Sequence, residues 1–342
     1  MDIQPVCTGH RCVHYLVRVL WLITPVLFAL LLHSETSAAQ GGSTTASTPS
    51  VSLPAWAYPV NPPLGEFDMK IPRRVPGSTR QFTQAEVEDD FGPPDWHPGD
   101  HPLLPEVVAF GRKPAVRACM KCHLPNGAGH PESSDLNGLP VRYFQQQMAA
   151  FRDGSRRGAR AGSMLPIAQA ITEEEILAAA LFFNALPPLP AGWRTVAETD
   201  TVPATFLGTG AMRFIVNGGG SEPIGSRIIE LPHNPELAEL RDSRSGFVAL
   251  VPLGSLAKGE NLVKEIGGKT IACATCHGLD LKGLGDVPGL IGRSPMYVFR
   301  QLNDIKTGSR AGPMAVLMQP VVANLEPDDM LAIAAYLASL NP

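Results

Sequence analysis

Cys119-Met120-Lys121-Cys122-His123 and Cys273-Ala274-Thr275-Cys276-His277 are two copies of one pattern, Cys-x-x-Cys-His. Two thiols three positions apart can each add to a vinyl group of one haem, and the histidine that follows then stands under the iron as its proximal ligand. With 6 Cys and 9 His in 342 residues, a given cysteine acquires the rest of the pattern by accident about once in 2,000 cases. Two copies therefore imply two covalently bound haem c groups, with Cys119, Cys122, Cys273 and Cys276 as attachment points and His123 and His277 as iron ligands.

Working outward, the residue at position i matches the residue at i+154 without a gap from the motifs to the C-terminus. Gly129, Leu136, Gly138 and Tyr143 fall on Gly283, Leu290, Gly292 and Tyr297. Gly154-Ser155-Arg156 falls on Gly308-Ser309-Arg310, and Met164, Pro166 and Leu186 fall on Met318, Pro320 and Leu340. One fold occurs twice, at a spacing close to one domain length.

Each copy ends in an expected helix. Thr172 with Glu175 has the form of a capping box before Ile176, Leu177, Ala180 and Leu181, and Pro327 suits a first helical position before Met330, Leu331, Ala334 and Leu337. Further helices are expected near Tyr143 to Arg152 and Tyr297 to Lys306, and leading into the motifs over Pro105 to about Ala118 and Ser255 to Ile266. Between the copies, β-rich runs at Met212–Val216, Arg227–Leu231 and Phe247–Val251 predict one or two hairpins.

A haem iron held by histidine on one face takes a second ligand or an open site on the other, and this separates electron transfer from catalysis. Met164 lies 41 residues after His123 and Met318 lies 41 after His277, each starting a Met-x-Pro turn. A thioether suits iron that cycles between ferrous and ferric states, so Met164 and Met318 are the expected distal ligands. Pro313-Met314 also looks like a ligand loop, but its equivalent in the first copy is Arg160, which ranks Met318 above Met314. Arginine pairs well with carboxylates, so Tyr143 with Arg156, and Tyr297 with Arg310, are candidates to hydrogen-bond the haem propionates. Pro288 is a candidate to supply the carbonyl that orients His277; its counterpart is Ser134, which predicts unequal pockets and unequal potentials. His97, His101 and His130 receive no ligand role, His130 being the one nearest a motif.

The N-terminus has the form of an export signal, with Arg11 and Arg18 before an apolar run from Val19 to Leu32 and small residues at Ser37-Ala38-Ala39. Retained uncleaved, it would anchor the chain to a membrane; either way the haem domains are expected in the periplasm or on the periplasmic face of the bacterial inner membrane. Cys7 and Cys12 lie in this leader, and the motifs consume the other four cysteines. The net charge of −4 forms no basic stripe and gives nucleic-acid binding no support. The expected organisation is leader or anchor over 1–39, a Pro-rich tether over 40–104, a first haem domain over 105–190, a β-rich linker over 191–254 and a second haem domain over 255–342. Trp56 and Trp96 are expected to pin the tether onto a domain surface.

With the motifs, the Met-x-Pro turns and the terminal helices in hand, the chain resembles the class I cytochromes c, most closely the two-domain dihaem forms, over about 105–190 and 255–342. The resemblance implies an all-α fold of two tandem helical domains, flanked by the Pro-rich arm and the short insert. It implies an electron carrier rather than an enzyme, serving redox protein partners such as a dehydrogenase, a quinol-oxidising complex or a terminal oxidase. The alternatives are a dihaem peroxidase or sulfur-compound dehydrogenase with one open haem, and two Cys-x-x-Cys pairs clasping a structural zinc.

Overall fold

The computed structural model describes residues 53–63, 67–158 and 160–342. The leader, its cleavage point and most of the tether's polar stretch lie outside the described residues. From Ser52 to Pro342 the chain is one compact unit.

The Pro-rich arm supplies a two-residue antiparallel pair, β1 (Pro72–Arg73) and β2 (Phe82–Thr83), and a short helix α1 (Gln84–Glu88) capped by Thr83 and Glu86. In the first repeat follow α2 (Glu106–Ala109), α3 (Met120–His123), α4 (Val141–Arg152), α5 (Met164–Ala170) and α6 (Glu173–Ala185). The expected capping box forms: Thr172 accepts from the Glu175 amide while the Glu175 carboxylate accepts from the Thr172 amide. The helix expected over Pro105–Ala118 stops at Ala109. Gly111 takes a left-handed φ of 62°, and Arg112 and Val116 close a small loop around Pro114, which has no amide hydrogen to continue a helix.

In the insert, β3 (Arg194–Thr199), β4 (Thr201–Pro203), β5 (Thr205–Leu207), β6 (Arg213–Ile215), β7 (Ser221–Pro223) and β8 (Ile229–Pro232) precede α7 (Pro235–Glu239) and β9 (Phe247–Pro252). Of the three expected runs, 227–231 and 247–251 overlap β8 and β9, which pair antiparallel, while 212–216 overlaps β6, whose partner β5 was not expected; nor was the pair of β4 with β7 that encloses it. A three-stranded mixed sheet in the order β3-β9-β8 also forms, with β3 parallel to β9. The alternating burial of Phe247, Ala249 and Val251 marks the side of β9 that faces the core.

The second repeat runs α8 (Ser255–Val263), α9 (Ala274–His277), the short pair β10 (Gly283–Leu284) and β11 (Val287–Pro288), then α10 (Pro295–Lys306), α11 (Gln319–Val322) and α12 (Pro327–Ser339). Ser294 caps α10 with Pro295 in the first turn, and Pro327 opens α12. Helix α12 buries Met330, Leu331, Ile333 and Leu337, each worth about 1.5–3 kcal/mol of transfer free energy. It crosses α8 at Gly259, where a Cβ would collide with the Ala332 carbonyl.

The chain as a whole is therefore not all-α, contrary to the sequence expectation: 35% of it is helical and 14% extended. The repeats supply most of the helix, while the arm and the insert spend their backbone hydrogen bonds in strand pairs. Separate apolar cores form around Phe144, Phe151, Ile176 and Phe183 in the first repeat and around Phe299, Leu325, Met330 and Leu337 in the second. Trp56 packs on Phe299 with ring centroids 4.6 Å apart, and Trp96 donates its indole N–H to the Leu240 carbonyl at 2.7 Å.

Candidate functional site: two haem-binding repeats and the seam between them

Helices α3 and α9 are single turns that present each motif histidine inward. His123 Nδ1 lies 2.9 Å from the Ser134 carbonyl and His277 Nδ1 lies 2.8 Å from the Pro288 carbonyl. A carbonyl only accepts, so Nδ1 carries the proton and Nε2 keeps its lone pair, the tautomer a metal requires. Burial, outweighing the carbonyl bond, lowers both imidazoles' pKa and keeps the rings neutral. The expected difference between Ser134 and Pro288 does not reach this bond, since both residues use the main-chain oxygen. The inequality of potentials expected from that pair therefore loses its ground.

None of the four motif cysteines is tied up in a disulfide, which leaves each sulfur available for a thioether.

Cys119, Cys122, His123 and Met164 line one cavity of about 360 Å³ in the first repeat, together with Tyr143, Arg156, Tyr297 and His130. Met164 packs against the first core. In the second repeat, Met318 and Cys273 pack against the second core, while Met314 is exposed. His130 is buried against Phe247, and desolvation lowers it to about 3. His97 is paired with Asp242 at 3.0 Å and His101 with Asp95 at 3.2 Å, both in contacts that fix the arm.

The tyrosines and arginines meet differently from the sequence grouping. Arg156 donates to the Tyr297 hydroxyl at 3.1 Å, and Arg310 to the Tyr143 hydroxyl at 2.8 Å, so each arginine serves the other repeat's tyrosine. Gln147 and Gln301 complete the cluster, each accepting from both guanidiniums at 2.9–3.0 Å. The backbone beneath it is an antiparallel bridge: the Arg157 amide donates to the Ser309 carbonyl and the Ala311 amide to the Ser155 carbonyl, both at 2.7 Å. Every one of these contacts maps onto its partner by the 154-residue offset, which makes the seam a local pseudo-two-fold. Gly158 meets Asp304 here so closely that a Cβ would collide with the carboxylate.

Among the described residues no carboxylate lies within ion-pair distance of Arg156 or Arg310. Burial raises the Tyr143 phenol's pKa, but the field of Arg310 and Arg156 outweighs it and the net shift is downward. Arg156, held by neutral partners and lining the cavity, suits a propionate of a bound haem; Arg310 sits in the same cluster but does not line that cavity. The donor set as a whole, sulfur pairs, neutral imidazoles and thioethers, fits haem c.

Sequence reading missed Gln147 and Gln301, although both lie on the repeat offset. It also missed a buried ionic network. Arg194 donates to both Asp135 oxygens at 3.3 Å and to the Gly292 carbonyl at 2.6 Å, and lies 3.8 Å from Glu230. Glu230 in turn accepts from the Ser294 hydroxyl at 2.6 Å and the Met296 amide at 2.9 Å. Nothing in the local sequence around these residues signals the contact, which joins three segments far apart in the chain.

The cytochrome c family model matches residues 256–341. A thiosulfate dehydrogenase electron acceptor of Thiomonas intermedia is 26% identical over 232 residues, covering 66% of this chain and 80% of that protein. Cytochrome c-554(548) of Halomonas halodenitrificans is 37% identical over 87 residues, covering 25% of this chain and 96% of that protein. A solved cytochrome c4 of Acidithiobacillus ferrooxidans aligns over 65% of this chain and 98% of its own, at 24% identity and a TM-score of 0.43. The chain belongs to the cytochrome c family. It is a dihaem electron-transfer cytochrome that binds its two haem c groups covalently.

Proposed function

We propose that the protein takes single electrons from a dehydrogenase acting on a reduced sulfur compound, on the periplasmic side of the inner membrane, and has no substrate of its own. The similarity to a thiosulfate dehydrogenase electron acceptor supports the choice of partner. In this reading Cys119 with Cys122, and Cys273 with Cys276, attach the haems, and His123 with Met164, and His277 with Met318, ligate the irons. Bound haem supplies one-electron chemistry at iron; the chain's residues exclude water, fix the imidazoles through the Ser134 and Pro288 carbonyls, and offer Arg156 and Arg310 to the propionates. A thioether opposite histidine raises the potential relative to a second imidazole.

The observation that carries the reading is that both repeats hold the same ligand types at the same spacing, with the same histidine–carbonyl bond. A dihaem peroxidase or dehydrogenase would need one of those sets broken. The test is the absorption spectrum of the oxidised protein with haem counted as the pyridine complex. Two haems per chain are expected, with a sulfur-to-iron charge-transfer band that Met164→Ala and Met318→Ala each reduce by about half. A band untouched by Met318→Ala, or cyanide binding readily at both irons of the unmodified protein, would refute the ligand assignment.

A further inference from the structure

The two repeats differ most where their motifs meet the surface. Over 121–130 the first motif's loop is buried or half-buried throughout, whereas over the equivalent 275–284 only His277 and Leu281 are buried and Gly278 and Gly283 half-buried. Lys121 is buried where its equivalent Thr275 is exposed, and Pro125 is buried where Leu279 is 96% exposed.

The cover over the first motif comes from the arm and the insert. The Ala118 amide donates to the Asp90 carbonyl at 2.9 Å, Lys121 Nζ to the Val87 carbonyl at 3.0 Å, and Arg241 to the Lys121 carbonyl at 2.9 Å. Leu124 and Ala128 of the same loop sit in an apolar cluster with Trp193, Met212, Phe214 and Phe247. Among the described residues the second motif has no such cover. Leu279, Leu284, Met314 and Val316 stand 44–96% exposed. Gly162 occupies the position in the first repeat equivalent to Val316.

The segments 271–279 and 311–325 carry no Asp, Glu, Lys or Arg. A charged partner face laid on them would strand its ions without counter-charges, at a desolvation cost. An uncharged apolar face would bury the exposed side chains favourably.

We propose that electrons enter and leave through the second haem domain alone. The partner is a redox protein with an apolar, uncharged rim around its own centre, docked on 271–279 and 311–325. The first haem is then an internal centre, reached across the Arg156–Arg310 seam. Electron transfer through protein falls off exponentially with edge-to-edge distance, so the layer of arm and insert closes the direct route to the first haem. This inference rests on the electron-carrier reading.

The test is stopped-flow reduction of the full-length dihaem protein by a small reduced blue-copper protein, beside a small outer-sphere reductant. Two phases are expected with the blue-copper probe, the second independent of its concentration because it is transfer between the haems. Val316→Glu and Leu279→Glu should each slow the first phase about tenfold, and Gly162→Glu should change it less than about twofold. With the small reductant, all three variants should react within about twofold of the unmodified protein. Because no charges meet, raising the salt should alter the first phase less than about twofold. Two phases that both rise with probe concentration, or a Gly162→Glu effect equal to that of Val316→Glu, would overturn the single port. A product without two low-spin haems overturns the electron-carrier reading instead, and its spectrum reveals this before any kinetics are run.

Discussion

Arg194→Met removes the cation that bridges Asp135 and Glu230 while roughly preserving side-chain volume. The Arg194 side chain is 2% exposed, Asp135 2% and Glu230 0%, so neither carboxylate can turn to water when the guanidinium goes. Breaking a buried pair from one side costs about 3–5 kcal/mol, because the remaining charge is left without a partner. Methionine fills most of the vacated space, so the cavity contribution is small. Glu230 softens the loss: burial already raises its pKa, with Arg194 the main opposing influence, and without the arginine the carboxyl moves further up and takes a proton more readily. An acid raised in the folded state destabilises above its unfolded value of 4.5, so the deficit must grow with pH. Denaturant unfolding of the haem-loaded variant, followed by circular dichroism, should show a loss of about 3 kcal/mol at pH 8 and a smaller one at pH 6. Adding Glu230→Gln to Arg194→Met should recover about 1 kcal/mol at pH 8, since the amide carries no charge to strand. A loss under about 1 kcal/mol at pH 8, or a larger loss at pH 6, would refute the account of this network.

Two further expectations concern the seam and the arm. Gly158→Ala drives a methyl into the Asp304 carboxylate, which the Tyr58 hydroxyl holds at 2.8 Å; it should cost about 1–3 kcal/mol in thermal unfolding. Gly312→Ala, whose Cβ meets only Ala150 and Ser155 at 3.4 Å, should cost less than about 0.5 kcal/mol, and equal losses would contradict the packing described. The hydrogen bond to Asp95 raises His101 above its ordinary 6.5, so this pair's stabilisation is fully present below pH 6.5 and fades as the pH rises through the raised value. Proteolysis of the arm should therefore quicken with pH in that window, and His101→Gln should flatten the dependence; an unchanged profile in the variant would remove His101 from the explanation.

The haem repeats were legible because their signals are local and doubled. Pentapeptide, capping box and helix periodicity all lie within short windows, and the second copy corroborates the first; the expected Met-x-Pro turns are instead the first turns of α5 and α11. Three strands of the insert, β6, β8 and β9, were legible as local β-rich runs, whereas β3, β4, β5 and β7 were not. Its mixed sheet was not legible either, because the pairing of β3 with β9 brings together residues such as Arg194 and Phe247, and alternation within a run does not name a distant partner. The helix before the first motif was overextended because Val107 and Val108 suit a helix while Gly111 and Pro114 decide where it stops. The tyrosine–arginine cluster was half seen: residue types and offset were in the sequence, but the exchange of partners depends on how one repeat turns to face the other.

That exchange has a consequence for how such a chain can arise. A contact in which 155 meets 311 and 157 meets 309 is the contact two identical single-repeat chains would make about a dyad, each edge complementary to itself. Joining the copies through the insert turns a concentration-dependent association into a permanent one with a high effective molarity. It also frees the halves to diverge, so one could gain a cover of arm and insert while the other stayed bare.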